Sequence, residues 1–470
     1  MISCKYKGEN ALMYATALLH ASGLYLGYSD INTAETYLHM ARQSFAGSGG
    51  RDKDGNAADN YFSAEMLYIQ AHIAMARGSF DKVRDILPEL LKVRKARIVN
   101  REQFYDEPSN RFEERKLDIY QLRRRKRQYA RVLEVQATTE RLSGNYELAE
   151  EYLEDAEIWV KLYLNPKDLA WIRLQKERIL LMMAQKADSR EIRKKLENLL
   201  FLAERRLGLV HKTFIEIHEL LISYYISHYH SRSRIQQWEL RTNTSKYFGK
   251  DKTPHALSVR LDARKDYFNQ NLKAAHEALA GLYGQTGKVP INHQEREKLL
   301  QQLYELALAR EQYDEALKYL RELLETRERI YGSETLPWHY TRMQLADFYL
   351  NFTSQFEVAD SLMQESFAGF ISKRISEKHT DYPRFLEQFA NFHEITGNYS
   401  GTRKFVEKIV ELAAKKFGTD HLQYAIALEK LVDMELSTGN FADADKNIEQ
   451  MLQIFGRDYS RAWALEYSRA

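Results

Sequence analysis

The side chains with most chemical reach in this sequence are a set of histidines, one cysteine and a run of cations. His211, His218, His228, His230 and His255 gather in one stretch. Two histidines one helical turn apart, with a glutamate between them, can hold zinc and activate water. Glu216-Ile217-His218-Glu219 has one such histidine and lacks the second. His228 and His230 would point about 200° apart on a helix, so they make a poor ligand pair. Gly284-Gln285-Thr286-Gly287-Lys288 has a Gly-Lys pair without the spacing, or the following Ser or Thr, of a phosphate loop. Cys4 lies too near the chain end to be a protected nucleophile. No cysteine follows it, so the sequence holds no cysteine-protease centre. No catalytic residue, metal or cofactor is expected, and the protein is read as not an enzyme.

Two features keep a binding role open. Arg123, Arg124, Arg125, Lys126 and Arg127 are consecutive and spray around a helix, where they could grip phosphates, lipid headgroups or an acidic partner. Their bland reading is a solvated helix start balanced by Glu113 and Glu114. Met1-Ile2-Ser3-Cys4 resembles the end of a bacterial lipoprotein signal, which would make Cys4 a lipid anchor if it were the mature N-terminus. Its bland reading is an ordinary start with a free thiol.

The rest of the 470 residues must be scaffold for such groups. Hydrophobic residues make up 44% and charged residues 29%, which is the balance of a folded soluble chain. Seven prolines and 21 glycines are too few for a loop-rich β-sandwich, and the common residues are good helix formers. A net charge of +3 argues for no polyanion, so nucleic acid is not the expected partner. No apolar run approaches the roughly 18 residues of a membrane span, and there is no signal-peptide core. With a single cysteine no intrachain disulfide can form, which fits the cytoplasm; the bacterial periplasm or envelope is the alternative.

The helices repeat. Leu428 and Val432 precede Gly439-Asn440, and Phe441, Ala444, Ile448 and Met451 follow. Steps of three and four keep one face, and Gly-Asn ends the first helix. One period of 42 residues earlier, Leu386 and Ala390 precede Gly397, Tyr399, Thr402 and Val406. Met343 and Ala346 precede Phe356, Ala359 and Met363, and Leu300 and Leu303 precede Tyr313, Ala316 and Leu320, each 43 residues back. Leu133, Ala137, Gly144, Tyr146, Ala149 and Leu153 make a clear copy further upstream, with looser ones around Ala34, Val83 and Ile192. The small residue at Ala34, Ala149, Ala316, Ala359 and Ala444 is expected where two helices cross. Helix pairs of this kind bury their apolar faces by stacking. The expected divisions are repeats with long connectors over 1–207, a divergent helical middle over 208–297 and regular repeats over 298–470. Glu102 to Arg115 reads as a connector or exposed loop, and Leu257 to Tyr283 as one long helix or two shorter ones.

The pattern large, small, then Gly-x-Tyr/Phe-x-x-Ala-x-x-x-Leu resembles the tetratricopeptide repeat. The links Tyr331-Gly332-Ser333-Glu334-Thr335-Leu336-Pro337 and Phe417-Gly418-Thr419-Asp420-His421 resemble the long-helix variety of kinesin light chains, although Leu422 replaces the usual Pro after His. The resemblance implies an all-α, right-handed superhelical solenoid of antiparallel helix pairs. It also implies a concave groove, lined by the first helix of each pair, that binds a peptide or partner helix. Carried onto this sequence, the groove residues are Lys298, Gln301 and Glu305 in one repeat, and Thr341, Gln344, Phe348 and Asn351 in the next. Arg384, Glu387, Gln388, Asn391 and Glu394 follow, then Lys430 and Asp433. Asn amides could pair with a peptide backbone, and Phe348 could add apolar area.

The expected function is a non-catalytic scaffold for a protein or peptide partner. Two other readings stand beside it. One is a structural lipoprotein subunit of a bacterial envelope or secretion assembly. The other is a regulatory repeat module of an associated enzyme such as a protease.

Overall fold

A computed structural model describes residues 9–47, 59–96, 98, 101–106, 111–116, 119–164, 168–228, 233–248, 253–285, 293–353, 355–371, 377, 379 and 381–457. Cys4, His230, the loop over 48–56 and Thr286-Gly287-Lys288 lie outside the described residues. The chain forms two compact units, Met1–Trp338 and His339–Ala470.

The first unit is an array of antiparallel helix pairs. Its helices are α1 (Glu9–Gly27), α2 (Ile31–Gly47), α3 (Asp59–Ala76), α4 (Phe80–Ala96), α5 (Ile119–Leu142), α6 (Tyr146–Tyr163), α7 (Leu169–Ala184) and α8 (Ser189–Leu207). Then come α9 (Lys212–His228), α10 (Ser233–Phe248), α11 (Thr253–Phe268), α12 (Leu272–Gln285), α13 (His293–Ala309) and α14 (Tyr313–Tyr331). Odd-numbered helices open each pair and even-numbered helices close it. The pair turns use a left-handed residue: Gly144 has φ +83°, and the Asn145 N–H returns to the Glu140 carbonyl at 2.9 Å, ending α5. Ala34, Ala149 and Ala316 are fully buried at the helix crossings. A larger side chain there would separate the pair.

Between α4 and α5 the polar connector is not a bare loop. Strands β1 (Arg101–Asp106) and β2 (Arg111–Lys116) form an antiparallel hairpin, with Tyr105 opposite Phe112 and Phe104 opposite Glu113. The segment read as a divergent middle continues the array with two more pairs, and Leu257 to Tyr283 is two helices parted at Gln270, φ +59°. The sequence columns fade there because polar groups occupy core positions. Gln237, Thr244, Ser258 and Arg260 are all buried, and the Gln237 amide donates to the Leu261 carbonyl at 3.2 Å.

The stack also meets itself. Ile330 at the end of α14 joins the core of α1, α2 and α3, among Leu18, Leu19, Ile31, Leu38 and Phe62.

The second unit holds α15 from His339 onward, a helix that begins at Leu336 and runs to Phe348, and α16 (Phe356–Met363). Each passes into wide π-helical turns, Tyr349–Thr353 and Gln364–Ile371. Then come α17 (Tyr382–Ile395), α18 (Tyr399–Phe417), α19 (Leu422–Ser437) and α20 (Phe441–Arg457). Ala359 and Ala444 are buried at their crossings, and Thr402 fills the same position in α18. The fold is an α solenoid of helix pairs, with one β-hairpin among its described residues. None of the described helices is long and apolar enough to cross a membrane.

Candidate protein-binding wall

The opening helices of successive pairs carry polar side chains one repeat apart, and in the first unit these bind one another. Arg173 on α7 is 2.9 Å from Glu134 on α5, and Lys176 is 2.6 Å from Glu216 on α9. Arg260 on α11 sits between Glu219, at 2.7 Å, and Glu295 on α13, at 3.0 Å. Lys298 then reaches back to Glu219 at 2.9 Å and to Glu295 at 3.3 Å. The result is a ladder of alternating charge from α5 to α13.

Burial sets the electrostatics of this ladder. It pushes the Glu134 carboxyl up, against the pull of Arg173. It also opposes ionisation of Glu219, but Lys298 and Arg260 outweigh it and hold that carboxyl below the usual range. Tyr68 and His72 on α3 lie in the field of the same groups. Burial, then Arg173 and Arg131, push the His72 imidazole down to about 4. Burial also takes His218 on α9 to about 4. These rings are neutral core histidines, and His228 stacks on Tyr224 with centroids 4.4 Å apart. Among the described residues no cluster of His, Cys, Asp and Glu could hold a metal ion.

The expected groove residues fall into three groups. Lys298 is tied into the ladder; Gln301 is half-buried and donates to the exposed Glu305 at 3.0 Å. In the second unit Arg384, Glu394, Lys430 and Asp433 are exposed, while Gln344, Glu387, Gln388 and Asn391 are half-buried. Lys430 on α19 lies 3.5 Å from Glu387 on α17, one repeat away. The exposed Asn351 donates to the backbone and carboxylate oxygens of Asp347, at 2.9 and 3.0 Å.

Thr341 and Phe348 depart from the expected exposed face. Both are buried, at 0% and 1% exposure. Threonine is too short to reach past its neighbours as Lys298 and Arg384 do at the matching position. Phe348 packs against Phe352, with centroids 5.3 Å apart, and a phenylalanine at the wall's edge gains about 1.5–3 kcal/mol by leaving water. Phe352 is the exposed member of that pair, at 41%.

The cationic run on α5 is partly engaged within the fold. Arg123 and Arg127, one turn apart, both reach the fully buried carboxylate of Asp168, at 3.3 and 2.7 Å. Lys126 lies over the Tyr163 ring at 5.3 Å, and Arg124 faces solvent.

Sequence reasoning missed Arg173, Arg260 and Glu295, and read Glu219 only as a neighbour of His218. The available signal was opposite charge recurring about one repeat apart on the opening helices, which a search for apolar columns passes over.

A family model for the tetratricopeptide repeat matches residues 305–335, the end of α13, its turn, α14 and the link beyond. No curated protein matches the sequence. Among solved structures the chain is similar to the nearly identical TPR-like repeats of a kinesin light chain from Podosopora anserina, at 19% identity and TM-score 0.37, over 43% of this chain and 95% of that one. It is also similar to a Rap protein complexed with Competence and Sporulation Factor, at 10% identity and TM-score 0.49, over 86% and 98%. A third is NprR in complex with its cognate peptide NprX, at 12% identity and TM-score 0.42, over 94% and 99%.

Proposed function

We propose, from the premise that this chain carries tetratricopeptide repeats, that it is a non-catalytic interaction scaffold which takes a partner peptide or helix along the wall formed by α15, α17 and α19. The observation that supports this reading is the contrast between the faces of α17. Phe385, Leu386 and Phe389 are buried in the stack, while Arg384, Glu387, Asn391 and Glu394 are exposed or half-exposed one turn apart. A repeated, polar, sterically regular face with mixed charge suits an extended partner read by hydrogen bonds and short ion pairs.

The mechanism is complementarity without a covalent step. Asn391 supplies an amide donor and acceptor to a partner backbone. Arg384 and the Glu387–Lys430 pair set which charges the partner may carry at each position.

The test is affinity capture with the intact chain, identification of the prey, and titration of the purified pair. Arg384→Glu, Glu387→Lys and Asn391→Ala, each still folded by circular dichroism, are expected to weaken binding about tenfold or more each. Unchanged affinity in all three would remove this wall as the binding face.

A further inference from the structure

Residues from 254 to 297 positions apart in sequence hydrogen-bond at one seam of the first unit. Arg77, just past α3, turns its guanidinium away from its own hairpin. Nη1 donates to Glu35 Oε1 on α2 at 2.8 Å, and Nη2 to Glu35 Oε2 at 2.7 Å and Asn32 Oδ1 at 2.9 Å. Nε donates to the Tyr331 carbonyl at the end of α14, at 2.9 Å. The Asn32 amide passes the link on, donating to the Arg329 carbonyl at 2.7 Å. The Arg77 carbonyl in turn accepts the Leu336 N–H at 3.1 Å.

These partners suit the place. The last carbonyls of a helix have no acceptor role inside it, and its C-terminal end favours a cation. Gly78, at φ +74°, lets the link approach: a Cβ there would fall 2.5 Å from Leu336 Cβ. Leu336 and Ile330 are almost completely buried at the same seam, and His293 on α13 stands 3.8 Å from Asp30 beside α2.

We infer that this seam is a latch that closes the first unit into a circuit of helix pairs, α1/α2 through α13/α14, with Arg77 as its key. Among the described residues the other junctions of the unit join adjacent pairs, with Lys298 reaching one pair further to Glu219, so each pair stays packed on the next when the seam parts. The seam is the one described junction whose loss opens the circuit without unfolding a pair. Only a guanidinium fork fits the role, because its donors diverge toward two helices at once, and an ammonium is a single point. The inference stands independently of the partner-binding reading.

Hydrogen exchange on the intact chain tests it, with Arg77→Ala, Arg77→Lys and Leu336→Ala, the last leaving the sequence of the α3–α4 turn unchanged. With the latch as described, all three variants keep their helicity. Exchange rises about tenfold or more in both Ile31–Gly47 and Tyr313–Tyr331, while Ser189–His228, midway round the circuit, stays at its original rate. Solution scattering then gives a larger radius of gyration. Arg77→Lys follows Arg77→Ala. A rise confined to Asp59–Ala96 in the Arg77 variants, with Leu336→Ala silent, would overturn the latch, as would a uniform rise that includes Ser189–His228. Where an Arg77 variant does not fold, Leu336→Ala decides alone by the same two patterns.

Discussion

Arg127 holds Asp168 from across a helix junction: its Nη2 is 2.7 Å from Oδ2, and its Nε bonds both carboxylate oxygens. Asp168 is also the N-cap of α7, accepting from the Ala170 N–H at 3.2 Å. Burial alone would raise this carboxyl, but Arg127, the Ala170 N–H and Arg123 outweigh it and hold it below the usual range.

The two ends of this contact are unequal, which gives a prediction. Asp168→Ala removes a cap and leaves two guanidinium groups facing a void, for a loss of about 1–2 kcal/mol. Arg127 is half-exposed and Arg123 remains, so Arg127→Ala should lose less than about 1 kcal/mol. Urea unfolding of the two variants gives the comparison, and equal losses would contradict the asymmetry.

The ladder predicts a larger effect at its centre. Arg260 is almost fully buried between Glu219 and Glu295. Arg260→Met leaves two buried carboxylates facing each other, with Lys298 alone to compensate. The expected loss is about 3–5 kcal/mol. Replacing all three by apolar residues of similar volume should restore most of it. A triple variant as unstable as the single one would mean that packing, not charge, is what Arg260 supplies.

The buried histidines predict a pH profile. His72 and His218 titrate near 4 in the folded chain, because burial disfavours the cation, and near 6.5 when unfolded. A depressed histidine gives stability that is fully present above about 6.5 and is lost as pH falls toward about 4. Each site should account for about 2–3 kcal/mol across that window. His72→Gln and His218→Gln should each flatten the fall in unfolding free energy between those limits; parallel curves for variant and parent would reject this assignment.

Two glycines of the second unit should respond differently to alanine. At Gly401 a Cβ would lie 2.7 Å from His393 Cγ, and that ring is stacked on Phe405. The overpacking costs about 1–3 kcal/mol. At Gly439 the space is open but φ is +75°, so the cost is backbone strain of about 1–2 kcal/mol. Adding His393→Ala should partly rescue the melting temperature of Gly401→Ala and leave that of Gly439→Ala where it was.

The helix pairs could be read from the sequence because one physical requirement repeats: a small residue at the crossing, as at Ala34, Ala149, Ala316, Ala359 and Ala444, all buried. The wall was less legible. Apolar columns say which helical face is hidden, but not how short Thr341 is beside its neighbours, nor that Phe348 turns inward onto Phe352. The hairpin of β1 and β2 escaped because its residues are mostly charged and carry no apolar alternation of a half-buried sheet. The ladder and the seam escaped for another reason. Both depend on side chains, in the ladder all polar, whose partners lie a repeat or a whole unit away, and periodicity is silent about who meets whom across such distances.

The junction at Arg77 and Leu336 also constrains how this chain can change length. An open stack tolerates a duplicated or deleted hairpin, because each copy only needs its immediate neighbours. Here the return to Asn32 and Gly78 is met after a fixed circumference, so adding or excising one hairpin between α3 and α13 would carry Tyr331 past its mark or leave it short. Such an indel is therefore excluded by geometry even where every local interface survives it.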